Sequence, residues 1–205
     1  LLVRCTGGIS SIKINVEYTF WAIVMKFVLG LVAALVLSSA IRFRNVLTGL
    51  VLIPWIIPEV VKALTWRTLF QPQFGGLNLV LERLHIVKDG VSWLGDPNLA
   101  LPSVIVVDAW GGVPFFTILL LAGMKSLDRE LFAAAAIDGA STFRQFVHIT
   151  LPGLRYVIIV ACLLSSMWTF NGFGLVFLLT GGGPGDATMI YSILAYQAIS
   201  GFLYS

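Results

Sequence analysis

Four long apolar stretches alternate with shorter polar ones along the chain, at residues 20–37, 46–64, 101–124 and 157–179. None holds more than two charged residues. Each is long enough to cross about 30 Å of hydrocarbon as a helix. The pattern predicts an all-α membrane protein with four full transmembrane helices plus partial flanking segments. The tail, "MIYSILAYQAISGFLYS", is apolar but carries no clear full span, and an interfacial helix is expected there. The chain opens at Leu1 and ends at "GFLYS", so a fragment truncated at both ends is expected.

Polar and charged residues inside the spans are costly and need a reason. In the fourth stretch Ser165, Trp168, Thr169 and Gly172 recur at i, i+3, i+4 and i+7, on one helical face. A hydroxyl pair, a large aromatic and a gap suit a sugar, whose ring stacks on aromatics. From the spacing alone, helix packing through small and polar residues is the favoured reading. In the third stretch, "DAWGGVPFF", Pro114 and Gly111–Gly112 predict a locally broken helix with exposed carbonyls, or a packing kink. Asp108 is expected to bond between helices. Glu59 and Lys62 are three residues apart and are expected to pair with each other. Lys26 is expected to be structural as well.

The loop between the third and fourth stretches mixes both charge signs. "LFAAAAIDGA" favours a helix closed by Asp138–Gly139, and "STFRQFVHI" a second one ended by Leu151–Pro152. The loop therefore reads as two short helices with a tight glycine joint, either a solvated linker or a docking element for a soluble partner. Outside the fourth stretch "GGGPGD" reads as a turn. "LNLVLERLHI" reads as a short interfacial helix.

Of the 205 residues 58% are hydrophobic and 11% charged, and the mean hydropathy is +0.95. Soluble domains carry about 25% charged residues, so the chain belongs in a bilayer. A net charge of +3 acts through the loops that set topology and gives no nucleic-acid footprint. Arg42 and Arg44 after the first stretch, and Lys125, Arg129, Arg144 and Arg155 after the third, place both turns inside. Arg67, Arg83 and Lys88 balance Glu82, Asp89 and Asp96 between the second and third stretches, which go outside. Two cysteines and two isolated histidines offer neither a disulfide framework nor a metal site, and no catalytic set or cofactor motif is present.

"AAAAIDGASTFRQFVHITLP" resembles the signature loop of inner-membrane permease subunits of binding-protein-dependent ABC importers. Ala134, Ala135, Asp138, Gly139, Ala140, Ile149, Leu151 and Pro152 stand where that pattern expects them. Ala133 departs from it, since the family most often has Glu there. "IPWIIPEVVKALTWRTLFQPQFGGLN", "WLGDPNLALPSVIVVDAWGGVPFF" and "WTFNGFGLVFLLTGGGPGDAT" resemble the carbohydrate-uptake branch with maltose and glycerol-phosphate permeases.

The resemblance implies one permease domain over 1–205, of the type I, MetI-like core, holding the second to fifth of six family spans. It implies a cytoplasmic coupling loop at 125–156, with Ala133, Ala134, Ala135, Asp138, Gly139 and Ala140 at the ATPase contact. It places substrate contacts at Gly112, Phe115, Ser165, Trp168, Thr169 and Gly172. It implies a multi-pass protein of a bacterial or archaeal cytoplasmic (inner) membrane, in contact with lipid. Its partners would be ATP-binding cassette ATPase subunits, a second permease subunit, an extracytoplasmic solute-binding protein and a small-molecule substrate. The chain itself would be no enzyme. The alternatives are a permease for a non-sugar solute such as an amino acid, an ion-coupled secondary transporter, or a membrane-embedded enzyme. Asp108, Glu59 and Lys62 are too few for the last.

Overall fold

The computed structural model describes residues 2–39 and 43–203, with side chains over 8–39 and 43–201. Arg42 and the Cys5 side chain lie outside the described residues.

The first helix, α1 (Leu2–Ser38), is much longer than the 20–37 stretch. Its segment 8–19 is inverted in polarity, which hid it from a reading by hydropathy. Ser11, Asn15 and Thr19 are buried, whereas Ile9, Ile12, Val16 and Phe20 are exposed. The polar side chains share one face with Tyr18, Ala22 and Lys26, and that face turns inward.

The second stretch is not one span. Helices α2 (Arg44–Ile56) and α3 (Glu59–Leu69) meet at 95°. Pro58 excludes Ile57 from the helical region, and Ile57 is extended at φ −69°, ψ 125°. A short helix, α4 (Gly76–Arg83), follows. Its Asn78 organises the connection beyond it. The buried amide donates to the Gln71, Pro72 and Val91 carbonyls and accepts from Trp93 Nε1 at 2.8 Å.

The third stretch is α5 (Pro97–Ser126), which starts with Pro97 in its first turn and the Asp96 carboxylate on the Asn98 N–H at 2.8 Å. It continues through Pro102 and Pro114, so the broken helix expected at "GGVP" does not form. The break lies elsewhere. Helix α9 (Arg155–Phe170) stops at Asn171, and α10 (Gly174–Thr180) restarts beyond it. Asn–Gly favours helix termination over continuation. The freed ends are bound: Asn15 Nδ2 donates to the Phe170 carbonyl at 3.2 Å, and Ser192 Oγ to the Gly172 carbonyl at 3.1 Å. The tail helix α11 (Tyr191–Leu203) therefore packs inward, with Ile190 and Ile193 fully buried.

Two helices of the described residues are individually long and apolar enough to span a membrane, and up to four if α2 with α3 (95°) and Thr142–Gly153 with α9 (62°) each count as one bent span. No strand occurs among the described residues. Helices α1 and α5 form the central pair. At Gly30 an added Cβ would sit 2.5 Å from Phe116 Cβ and 3.3 Å from the Thr117 backbone nitrogen, so glycine permits the close approach. The core is divided along this pair. One apolar cluster gathers Tyr18, Ala22, Val104, Val107, Val176 and Ile193. The other gathers Ala34, Leu37, Phe116, Leu120, Leu154 and Ala161. Between them, Lys26 of α1 and Asp108 of α5 bring charge into the lining.

Candidate functional site

A cavity of about 310 Å³ lies in that gap. Gly112, Phe115, Ser165, Trp168, Thr169 and Gly172 all line it. These are the six positions singled out in the sequence, brought together from α5, α9 and the break after α9. Their local settings differ from the expectation in one respect. Gly172 follows the C-cap of α9, so it does not continue the face of Ser165, Trp168 and Thr169. It reaches the cavity because the chain turns there.

The Trp168 ring is 59% exposed and stands edge to face on Phe115, with centroids 5.1 Å apart. An aromatic corner is thus presented to the cavity instead of being packed away. Ser165 and Thr169 are buried beside it. Gly112 is glycine for a steric reason: a Cβ there would meet Lys26 Cε at 2.6 Å.

The remaining lining is more charged than the sequence reading allowed. Tyr18, Lys26, Glu59, Lys62 and Asp108 face the same space. Lys26 Nζ lies 2.6 Å from Asp108 Oδ2 and donates to Thr169 Oγ1 at 2.8 Å. The carboxylate contact is an ion pair by distance but misses hydrogen-bond geometry, so the directional bond goes to Thr169. Asp108 thus links helices as expected, through a residue of α1. Glu59 and Lys62 do not pair with each other, contrary to the expectation from their spacing: neither side chain makes an ion pair or hydrogen bond among the described residues. Their intramembrane charge was itself the signal that could have placed them at a site. No group of three or more metal-ligating side chains occurs among the described residues.

At the other end of α5 the mixed-charge loop forms α6 (Arg129–Ile137), α7 (Thr142–Gln145), a π turn at Phe146–Thr150 and α8 (Leu151–Gly153). Asp128 accepts from the Glu130 N–H at 2.9 Å and starts α6. Gly139 closes it at φ +77°, a left-handed value suited to glycine. Ser141 caps α7 through the Arg144 N–H. The second helix does not stop at Leu151–Pro152. Pro152 sits in the first turn of α8, where no donor is needed, and the π turn absorbs the register. Ala133, Ala134, Asp138 and Gly139 are exposed, and Ala135 and Ala140 half-buried. Ile137 and Phe143 are 87% and 76% exposed, an apolar surface with no cover in this chain.

Residues 26–204 match the family model described as binding-protein-dependent transport system inner membrane component. The chain belongs to this family of permeases. It is 40% identical over 184 residues to the trehalose/maltose transport system permease protein MalF of Thermococcus litoralis, covering 90% of this chain and 62% of that one. It is 34% identical over 171 residues to the maltose/maltodextrin transport system permease protein MalF of Salmonella typhimurium, covering 83% and 33%. The chain therefore spans less than two thirds of the length of these relatives. A bacterial ABC transporter involved in import of the acidic polysaccharide alginate has a similar fold, with a TM-score of 0.83, 24% identity, and coverage of 96% of this chain and 69% of that one. The all-helical fold is thus that of the MetI-like ABC permeases, a family of membrane transport subunits.

Proposed function

We propose that this permease forms half of the membrane path of an ATP-driven importer for a sugar or sugar derivative. The observation that carries the reading is the convergence of Gly112, Phe115, Ser165, Trp168, Thr169 and Gly172 on one cavity between two apolar clusters. Gly112 lies near the centre of α5, with about 22 Å of helix on either side at 1.5 Å per residue. That is the depth at which a transporter holds its substrate. The exposed Trp168–Phe115 corner offers apolar ring faces, and Ser165 with the Thr169 hydroxyl proton offers hydrogen bonds. The names of the two MalF relatives support a sugar as the ligand class.

The polypeptide crosses the membrane four times in this reading, through α1, α2–α3, α5 and α9–α10. The loop at 125–156 lies in the cytoplasm, and 67–100 lies outside. Cassette ATPase subunits dock on Ala133, Ala134, Ala135, Asp138, Gly139 and Ala140, with exposed Ile137 and Phe143 alongside. Closure of the ATPases reaches the cavity through the packing of Leu154 on α5. A Cβ at Gly123 would meet Leu154 Cδ2 at 2.6 Å, so these segments pack closely. A second permease subunit completes the path, and an extracytoplasmic solute-binding protein delivers the substrate. Ligand binding then acts by favouring one of two arrangements.

The test is ATP hydrolysis by the full complex in proteoliposomes, with the binding protein loaded with maltose or trehalose. The account expects hydrolysis stimulated by the loaded binding protein and coupled to sugar uptake. Uptake driven by an ion gradient without ATP would contradict it.

A further inference from the structure

Four side chains of the charged types, Lys26, Glu59, Lys62 and Asp108, line the cavity, and they are not equivalent. Lys26 and Asp108 neutralise each other at 2.6 Å, and Lys26 also serves Thr169. Glu59 and Lys62 have no such partner. They leave the same helix in different directions. The Glu59 carboxylate lies beside Gly174 of α10, with Oε1 2.9 Å from where a Cβ would stand. The Lys62 ammonium lies beside Gly111 of α5, 2.5 Å from the corresponding point. Each glycine leaves the room that its neighbouring charge occupies. The cavity thus presents two uncompensated charges of opposite sign, at separate points of its wall.

We infer that Glu59 and Lys62 form a donor–acceptor dyad that reads hydroxyl groups of an uncharged sugar and discriminates against ligands with a net charge. The inference rests on the cavity being the substrate path. An ammonium only donates hydrogen bonds and a carboxylate only accepts them, whereas a hydroxyl does both. Hydroxyls of one sugar ring can therefore satisfy both groups without bringing charge into the membrane. An anionic ligand gains attraction at Lys62 and meets repulsion at Glu59, and a cationic one the reverse. Such opposition gives specificity through an unfavourable contact as well as a favourable one. The lining carries two cations and two anions in all, so it has no net charge to draw in a charged sugar.

The experiment measures uptake of radiolabelled maltose, and in parallel trehalose, by cells expressing the complete complex with Glu59→Gln, Lys62→Met, the exchange Glu59→Lys/Lys62→Glu, or Trp168→Ala. All variants share one binding protein, so differences arise in the membrane path. Maltobionate, the anionic oxidation product of maltose, serves as competitor, and subunit yield is measured beside uptake. Glu59→Gln and Lys62→Met are each expected to raise the apparent KM at least tenfold, equivalent to about 1.4 kcal/mol, with normal yield. Glu59→Gln is expected to make uptake more sensitive to maltobionate, because Lys62 is then unopposed. The exchange is expected to stay impaired, since each charge faces its own part of the wall. Single variants within twofold of wild type, or full recovery in the exchange, would overturn the dyad. Impaired Trp168→Ala in those cases leaves the cavity reading standing. Wild-type uptake by Trp168→Ala would overturn the cavity reading, and the dyad with it.

Discussion

The Lys26 ammonium lies 2.6 Å from the Asp108 carboxylate, which ties the second half of α1 to the first half of α5. The side chains are 6% and 18% exposed, so both charges are largely withdrawn from solvent. Removing one partner of a buried pair leaves the other uncompensated, at a cost of about 3–5 kcal/mol. Lys26→Met is therefore expected to cut subunit yield and lower the melting temperature in detergent. Lys26→Met/Asp108→Asn is expected to recover most of the loss. Thermal unfolding monitored by size-exclusion chromatography measures both, and a single variant as stable as wild type would refute the assignment.

Gly30 and Gly49 form a matched pair. A methyl group at Gly30 meets Phe116 and the Thr117 backbone, whereas at Gly49 nothing lies within 4 Å. Gly30→Ala is expected to destabilise by roughly 1–3 kcal/mol, the usual range for overpacking. Gly49→Ala is expected to be neutral or slightly stabilising, because alanine is the better helix former. Equal melting temperatures for the two would argue against close α1–α5 packing.

The contrast between these elements explains what the sequence made legible. The 101–124 stretch reads directly as α5, because its apolar run is nearly unbroken. The first half of α1 does not, because Ser11, Asn15 and Thr19 face the protein while isoleucine and valine face outward. A scale that averages hydropathy cancels that inversion. The helix breaks were legible as residues but not as places. Pro114 passes smoothly through α5, whereas Pro58 and Asn171–Gly172 interrupt their stretches. A proline matters little where neighbouring helices absorb the lost bond. The six cavity positions converge, but the choice of ion pair was invisible. Sequence spacing favours Glu59 with Lys62, and only the packing of α1 on α5 brings Lys26 to Asp108.

Gly139 sits at φ +77° with open space around it. Gly139→Val forces a branched residue into a left-handed backbone, at a cost on the order of 1–2 kcal/mol, and adds bulk where the ATPase is proposed to dock. Co-purification of the ATPase and sugar-stimulated hydrolysis are expected to fall severalfold, with membrane insertion unchanged. Ala133→Glu, at an exposed position, is expected to be tolerated. The reverse order of severity would remove this loop from the coupling role.

The orientation has its own test. Ser126 and Asp89 are both exposed, on opposite sides of α5 in the chain. In intact cells an impermeant thiol reagent is expected to label Asp89→Cys and to spare Ser126→Cys until the membrane is opened. Labelling of Ser126→Cys in sealed cells would invert the topology.

The central claim is that the cavity beside Trp168 is the path of the sugar. Trp168→Ala is its most direct measurement, read as uptake of labelled maltose or trehalose beside the yield of assembled complex. The exposed ring makes one edge contact with Phe115 and little core packing, so assembly is expected to stay near wild type. Uptake is expected to fall at least tenfold, because the stacking face is gone. A buried core aromatic cut to alanine costs about 3–5 kcal/mol; yield collapsing in step with uptake would therefore make Trp168 a packing residue, and uptake at the wild-type level would place the path elsewhere.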